Sequence, residues 1–146
     1  MRGQCHQNRT FSLLTVTFAA GLLLSACSDS GSLQVMERTA TASDQLPGDV
    51  KLNDVTLDKV LLVAEANGKK YFVGQGNEGP HACLITVPTD GSGWHSGCTD
   101  ATKGELVKTS GPDQESSILA ADGYDTKELE ASGWTKIHEN VLVSDG

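Results

Sequence analysis

The sequence predicts an α+β fold: a small antiparallel β-sheet with one short helix, confined to residues 47–146. Three observations carry this. Asn67-Gly68 is a two-residue turn between two apolar runs, and both of its positions favour positive φ, as a tight hairpin requires. The stretch HACLITVPTDGSGWHSGC, His81 to Cys98, folds back on a turn-forming loop. Asp125 to Ser132 has the spacing of a capped helix, with Gly133 placed to stop it.

The chain ahead of this domain is of a different kind. Arg2 and Arg9 give a basic start with no acidic residue, and Phe11 to Leu24 form an apolar run of fourteen residues. That is the anatomy of an export signal, and the run is short of the roughly 20 residues a membrane span needs. The run ends in Leu24-Ser25-Ala26-Cys27: an aliphatic residue, two small residues, then cysteine. Small side chains at 25 and 26 let a peptidase close on the backbone between Ala26 and Cys27. The pattern resembles a bacterial lipobox, which implies that lipid is attached at the thiol of Cys27. Residues 1–26 are therefore expected to be a lipoprotein signal peptide and Cys27 the lipidated first residue of the mature chain. Each buried acyl methylene adds about 0.8 kcal/mol of membrane affinity. Cys5 falls in the discarded segment.

The remaining 120 residues keep nine basic and nineteen acidic side chains, a net charge of −10. Such a polyanion excludes nucleic acid, whose recognition needs basic patches. It also keeps the domain off anionic lipid except through its anchor. Ser28 to Leu46 is rich in Ser, Thr, Asp and Ala and has no apolar period. Residues 27–46 are accordingly expected to be a lipid-anchored flexible linker, with a fully extended reach of about 60 Å.

Within the domain, Val60–Ala66 and Lys69–Gln75 read as the two strands of the Asn67-Gly68 hairpin. An unbroken ladder places Val63 opposite Phe72 and Leu62 opposite Val73. Leu61, Val63 and Phe72 then share one face, and Val60, Leu62, Tyr71 and Val73 the other. Both faces are apolar, which predicts a central hairpin covered on both sides. Gly76 to Pro80 breaks the chain. Ala82–Val87 and Trp94–Thr99 follow as a second hairpin. If Val87 faces Trp94, Ile85 faces Ser96 and Cys83 faces Cys98. Glu105–Thr109 and Ser117–Ala121 are a fifth and sixth strand flanking Gly111-Pro112. Asp125 caps the helix with Glu128 three residues on. Trp134, Ile137 and Val141–Val143 pack back as one last strand or extended tail. An all-β meander with a helical turn is the nearest alternative.

His81, Cys83, His95 and Cys98 could in principle hold zinc. Strand parity argues otherwise, because His95 and Cys98 point to opposite faces. A redox pair would call for a close C-x-x-C, and fourteen residues separate these cysteines. In an oxidising compartment two opposed cysteines form a structural disulfide, which is the expectation here. Asp49, Asn53, Asp54 and Asp58 lack EF-hand spacing and read as a solvated acidic segment. Asp122 and Asp125 around Tyr124 read as turn and cap residues before an acid–base pair. Trp94, Trp134, Tyr71 and Tyr124 read as packing residues before a sugar-stacking platform. His138 has no partner in the sequence. No nucleophile elbow, zincin motif or phosphate loop is present.

Several segments carry a resemblance: the lipobox at Cys27, the run Leu61-Leu62-Val63-Ala64-Glu65-Ala66-Asn67-Gly68, and Cys83-Leu84-Ile85-Thr86-Val87 with Trp94 and Gly97-Cys98. Ala120-Ala121-Asp122-Gly123-Tyr124-Asp125-Thr126, followed by Leu129-Glu130-Ala131 and Gly133-Trp134, completes it. Over most of Leu46 to Val143 the chain resembles small lipoproteins of high-GC Gram-positive bacteria. The resemblance implies a cell-envelope lipoprotein, with Cys27 as lipid site and Cys83–Cys98 as bridge, and it implies no reaction. The expected location is the extracytoplasmic face of the cell membrane. The expected partners are that membrane, through the lipid, and an envelope protein or ligand; no cofactor and no catalytic residue is expected. The alternatives are a small envelope glycan hydrolase or transferase using paired carboxylates, and a zinc-binding or redox lipoprotein.

Overall fold

The structure, a computed structural model, describes residues 33–52, 54–76 and 81–144. The expected signal peptide with Ala26, the expected lipid site Cys27, the first residues of the expected linker, Asn53, residues 77–80 of the expected break and the last two residues lie outside these. Among the described residues are two four-stranded antiparallel sheets and one short helix. The α+β expectation holds in its ingredients, but most of the fold is β and there are two sheets where one was expected.

The first sheet is a meander of β1 (Lys59–Ala66), β2 (Lys69–Gln75), β3 (Ala82–Pro88) and β4 (His95–Thr99), in that order. The second contains β5 (Glu105–Ser110), β6 (Ser116–Ala120), β7 (Thr135–His138) and β8 (Val141–Ser144), ordered β5-β6-β8-β7. The helix α1 (Lys127–Ala131) lies between β6 and β7 in the chain. The expected single last strand is thus a hairpin, β7 and β8, turned at Glu139-Asn140. Asn140 is buried, and its amide donates to the Ala120 carbonyl and to Asp122 Oδ1. That satisfaction lets a polar residue occupy the interior.

The sheets face each other across one core. Leu61, Tyr71, Val73 and Leu84 meet Leu106, Val107, Leu119, Val141 and Val143. Both outer faces are covered as well. Phe72, Ile85 and Val87 are roofed by Leu46, Val50, Leu52 and Leu57, with Trp94 at the side. Ile118, Ala120 and Leu142 lie under Leu129 and Trp134. The first hairpin is therefore apolar on both faces because both faces are buried, as its sequence implies. It is not central, since β1 is an edge strand.

Its register also differs from the expectation. The turn opens as expected, with Asn67 and Gly68 at φ 51° and 70°. Ala64 faces Tyr71, but Leu62 then faces Phe72 and Leu61 faces Val73, with a bulge at Val63. One extra residue exchanges the faces of everything beyond it. Leu61 joins Tyr71 and Val73 in the inner core, while Val60 and Leu62 join Phe72 outside.

The stretch expected to be a flexible tether is, from Leu33 on, part of the fold. Leu33 and Met36 are buried in the inner core, and 3-10 turns span Gln34–Glu37 and Ala42–Asp44. Asp44 holds the segment in place. Its carboxylate accepts from Arg38 at 2.6 and 2.8 Å, from the Thr41 backbone and hydroxyl, and from the Leu62 N–H at 2.7 Å. Arg38 in turn donates to the Leu62 carbonyl. The ion pair takes the place of a neighbouring strand beside the bulge and closes the exposed edge of β1. The segment is also tied to the second sheet's loop, where the Gln34 N–H donates to Asp122 Oδ2.

The other edge is closed by close approach. A Cβ on Gly97 of β4 would sit 2.6 Å from a Thr109 methyl and 2.8 Å from a Val107 methyl on β5. Gly97→Ala is therefore expected to cost about 2 kcal/mol through overpacking, read as a lower urea midpoint at unchanged m-value.

The expected helix begins two residues late. Thr126 is its N-cap, and the Asp125 carboxylate accepts from the Lys127 N–H without the expected partnership of Glu128. Thr126 Oγ1 donates instead to Glu130. Gly133, at φ 94°, ends the helix as expected.

Candidate functional site

The second hairpin has the predicted register: Ile85 faces Ser96, and Cys83 faces Cys98. The two cysteines are joined in a disulfide, with Cα atoms 4.0 Å apart. Their thiols are bound to each other, which removes both from the zinc set and from thiol chemistry. Among the described residues no group of three or more His, Cys, Asp or Glu converges as metal ligands.

The chemistry-bearing residues gather at the other end of this hairpin. Tyr71 lies opposite Thr86 across β2 and β3, and Thr86 opposite His95 across β3 and β4. Cross-strand partners share a face, so tyrosine, threonine and histidine form a row. Lys69, two residues before Tyr71, extends the row on the same face. The facing sheet supplies complementary groups. Ser117 Oγ lies 3.4 Å from Thr86 Oγ1 and 3.0 Å from Thr109 Oγ1. The loop from Gly111 to Glu115 delivers two carboxylates.

Those carboxylates meet Lys69. Its Nζ lies 2.5 Å from Asp113 Oδ2 and 2.9 Å from Glu115 Oε1. Tyr71 donates its hydroxyl to the same Glu115 oxygen at 2.6 Å. Burial by itself lowers the Lys69 pKa, but the hydrogen bonds to Asp113 and Glu115 outweigh it and hold the ammonium above its ordinary value. The hydrogen bond from Lys69 keeps the Asp113 carboxyl below the usual range. The cluster is therefore a fixed ammonium between two carboxylates.

His95 differs from its neighbours. Both ring nitrogens are buried and neither has a hydrogen-bond partner. Its ring packs against Gly111, where a Cβ would come within 2.9 Å of Cε1. Burial, with a smaller contribution from the Lys69 charge, lowers its pKa and keeps the imidazole neutral. His95 lines a cavity of about 380 Å³ shared with Lys69, Thr89, Asp90, Ser92 and Asp113. The lowered pKa has a measurable consequence. The unfolded chain binds a proton on this residue near pH 6.5 and the folded chain does so only at lower pH, so stability falls as pH drops below about 6.5. His138, half-buried and also lowered by burial, adds to that slope. His95→Gln is expected to flatten the decline between pH 7 and 5 in part, as measured by urea unfolding across that range.

The other sequence candidates are dispersed. The His81 backbone N–H donates to Asp100 Oδ1, away from the cysteines it was grouped with. Asp122 accepts from Gln34 and Asn140 and is structural, as Asp125 is. Trp94 packs on the outer face of the first sheet, and Trp134 on that of the second, with the Lys108 ammonium 5.1 Å from its ring. Tyr71 is fully buried between the sheets. Tyr71, Trp94 and Trp134 thus serve separate packing sites, and Tyr124 is exposed on its own, so the four form no platform. His138 accepts from the Asn140 N–H. Sequence reasoning missed Lys69, Asp113 and Glu115 as a unit. No protein-family model, no curated protein and no solved structure matches the chain.

Proposed function

We propose that the protein is a lipoprotein anchored by acyl chains on Cys27 to the extracytoplasmic face of the cell membrane, where its β domain serves as a binding module of the envelope. The observation that carries this is Leu24-Ser25-Ala26-Cys27 at the end of an apolar run with a basic start. The Cys83–Cys98 disulfide supports it, because such bridges persist where the surroundings are oxidising. The resemblance to small envelope lipoproteins points the same way.

The packed N-terminal segment adds a constraint to this reading. Leu33 is fixed in the core, and six peptide steps separate it from Cys27. Fully extended, these reach about 20 Å. The domain then works against the membrane surface, with no long arm to carry it outward.

A hydrolase or transferase with paired carboxylates gains no support from Asp113 and Glu115. Glycoside hydrolysis needs one carboxyl held protonated. Here both carboxylates share one ammonium, and Asp113 is pushed the other way.

Replacement of the anchor residue tests the proposal. Cys27→Ala is expected to abolish acyl labelling and to shift the protein out of its normal processing and membrane fraction. Unchanged fractionation together with unchanged gel migration would refute the lipid anchor.

A further inference from the structure

We propose that the end of the sandwich that carries Tyr124 is a contact surface for the lipid bilayer, and that the opposite end, with the Lys69 cluster, is held outward. The inference rests on the reading of Cys27 as a lipid anchor and says which part of the domain meets the bilayer.

The strand registers sort the loops into two groups. Lys59 pairs with Gln75, Ala82 with Thr99, Glu105 with Ala120 and His138 with Val141. One end of the sandwich therefore gathers the loops 100–104, 121–126 and 139–140. The other gathers 67–68, 88–93 and 111–115, where Lys69 of the first sheet meets Asp113 and Glu115 of the second. The described chain enters at the first of these ends. The Gln34 N–H donates to Asp122 Oδ2 beside the second sheet, and the Lys59 ammonium of the first sheet donates to the Met36 carbonyl. Leu33 and Met36 are buried there, so the entry point is fixed.

Length then decides which end faces the bilayer. The six peptide steps from Cys27 to Leu33 reach about 20 Å. The seven residues of β2 or β3 alone rise about 23 Å, and turns prolong the body at both ends. An inverted domain would hold Leu33 farther from the bilayer than the tether extends. The near end also carries suitable chemistry. Among the described residues Tyr124 is the large hydrophobic side chain that is exposed. It stands on a turn closed by its own N–H to the Ala121 carbonyl, with Gly123 at φ 70°. A tyrosine, with an apolar ring and a polar tip, suits the headgroup level of a bilayer. Asp100, Glu105, Asp125 and Glu139 outnumber Lys59 and Lys103 at this end. Anionic lipid repels such a surface, so the tether and the ring hold it to the bilayer and charge does not.

The test uses the protein purified from the membranes of cells that make it, with its backbone amides isotope-labelled, in phosphatidylcholine nanodiscs. A share of the lipid carries a spin label on its headgroup, which broadens nearby amide signals and spares distant ones. The amides of Gly104, Gly123, Tyr124 and Asn140 are expected to lose severalfold more signal than those of Gly68, Gly91 and Gln114. Tyr124→Ser, at an exposed position, is expected to fold normally and to lessen the loss at Gly123. Equal losses at the two ends, greater losses at Gly68 and Gly91, or an undiminished loss in the variant overturns the proposal. The same experiment separates this failure from that of the anchor. Disc-bound protein with no loss at either end overturns the contact and leaves the anchor standing, whereas protein that stays off the discs and carries no acyl mass overturns both.

Discussion

Asp44→Ala is expected to destabilise the protein by about 3 kcal/mol or more and to loosen the β1 edge. The side chain is almost wholly buried and accepts five hydrogen bonds, two of them from Arg38. Its removal leaves the Leu62 N–H without a partner beside the Val63 bulge, and it frees the segment that carries Leu33 and Met36. Losing one member of a buried ion pair typically costs about 3–5 kcal/mol. Arg38 is partly exposed, so Arg38→Ala should cost less. Urea unfolding measures the loss, and hydrogen exchange at the Leu62 amide locates it. The pH dependence has a definite sign. The hydrogen bond from Arg38, aided by those from Thr41 and Leu62, holds the Asp44 carboxyl far below its ordinary value. Its contribution is complete above the unfolded-state value near 4 and is lost as the solution becomes more acidic. The wild type should lose stability below about pH 4 more steeply than Asp44→Ala does. Equal acid slopes would mean that Asp44 does not fasten the segment.

Replacing both cysteines, Cys83→Ala with Cys98→Ala, is expected to cost about 3 kcal/mol. The bridge closes a short loop, and chain-entropy arguments give that magnitude for a loop of this length. Alanine is the appropriate replacement because Cys83 is completely buried. The effect should also reach the cavity, because β4 is joined to β3 at one end by the bridge and carries His95 at the other. Thermal unfolding reports the stability change, and the His95 ring signals report the position of the cavity wall. A variant as stable as the wild type would show that β4 is held by its ladder and by Gly97 against β5 alone.

Local chemistry made parts of this molecule legible from its sequence. Asn67-Gly68 specified its own turn, and the even spacing around Pro88 to Gly93 placed Cys83 opposite Cys98. Gly133 announced the end of the helix. The bulge at Val63 could not be read this way: the groups that meet the backbone beside it, at Leu62, are Arg38 and Asp44, from far up the chain. An uninterrupted two-residue hairpin was the simplest continuation of the turn, and it put Leu61 and Leu62 on the wrong faces. The segment from Leu33 to Leu46 was obscured by composition. Two apolar residues, Leu33 and Met36, do not make a period, and its order comes from tertiary hydrogen bonds. One local signal was present: Thr41 and Asp44 stand three apart, and they form a capping box.

The candidate site was hidden for a related reason. Lys69 and its carboxylates are more than forty residues apart and meet only when the two sheets face each other. His95 did attract attention, but as a metal ligand grouped with Cys83 and Cys98. Strand parity excluded that grouping, and the structure gives the histidine a different setting, on a cavity wall opposite groups from the second sheet.

The most direct test of the central claim is the intact mass of the protein extracted from the membranes of cells that make it. The mature chain is expected to begin at Cys27, to carry acyl chains on that residue, and to be two hydrogens lighter than its reduced form. A protein recovered from the aqueous fraction without acyl mass, or one that still carries residues 1–26, would contradict it.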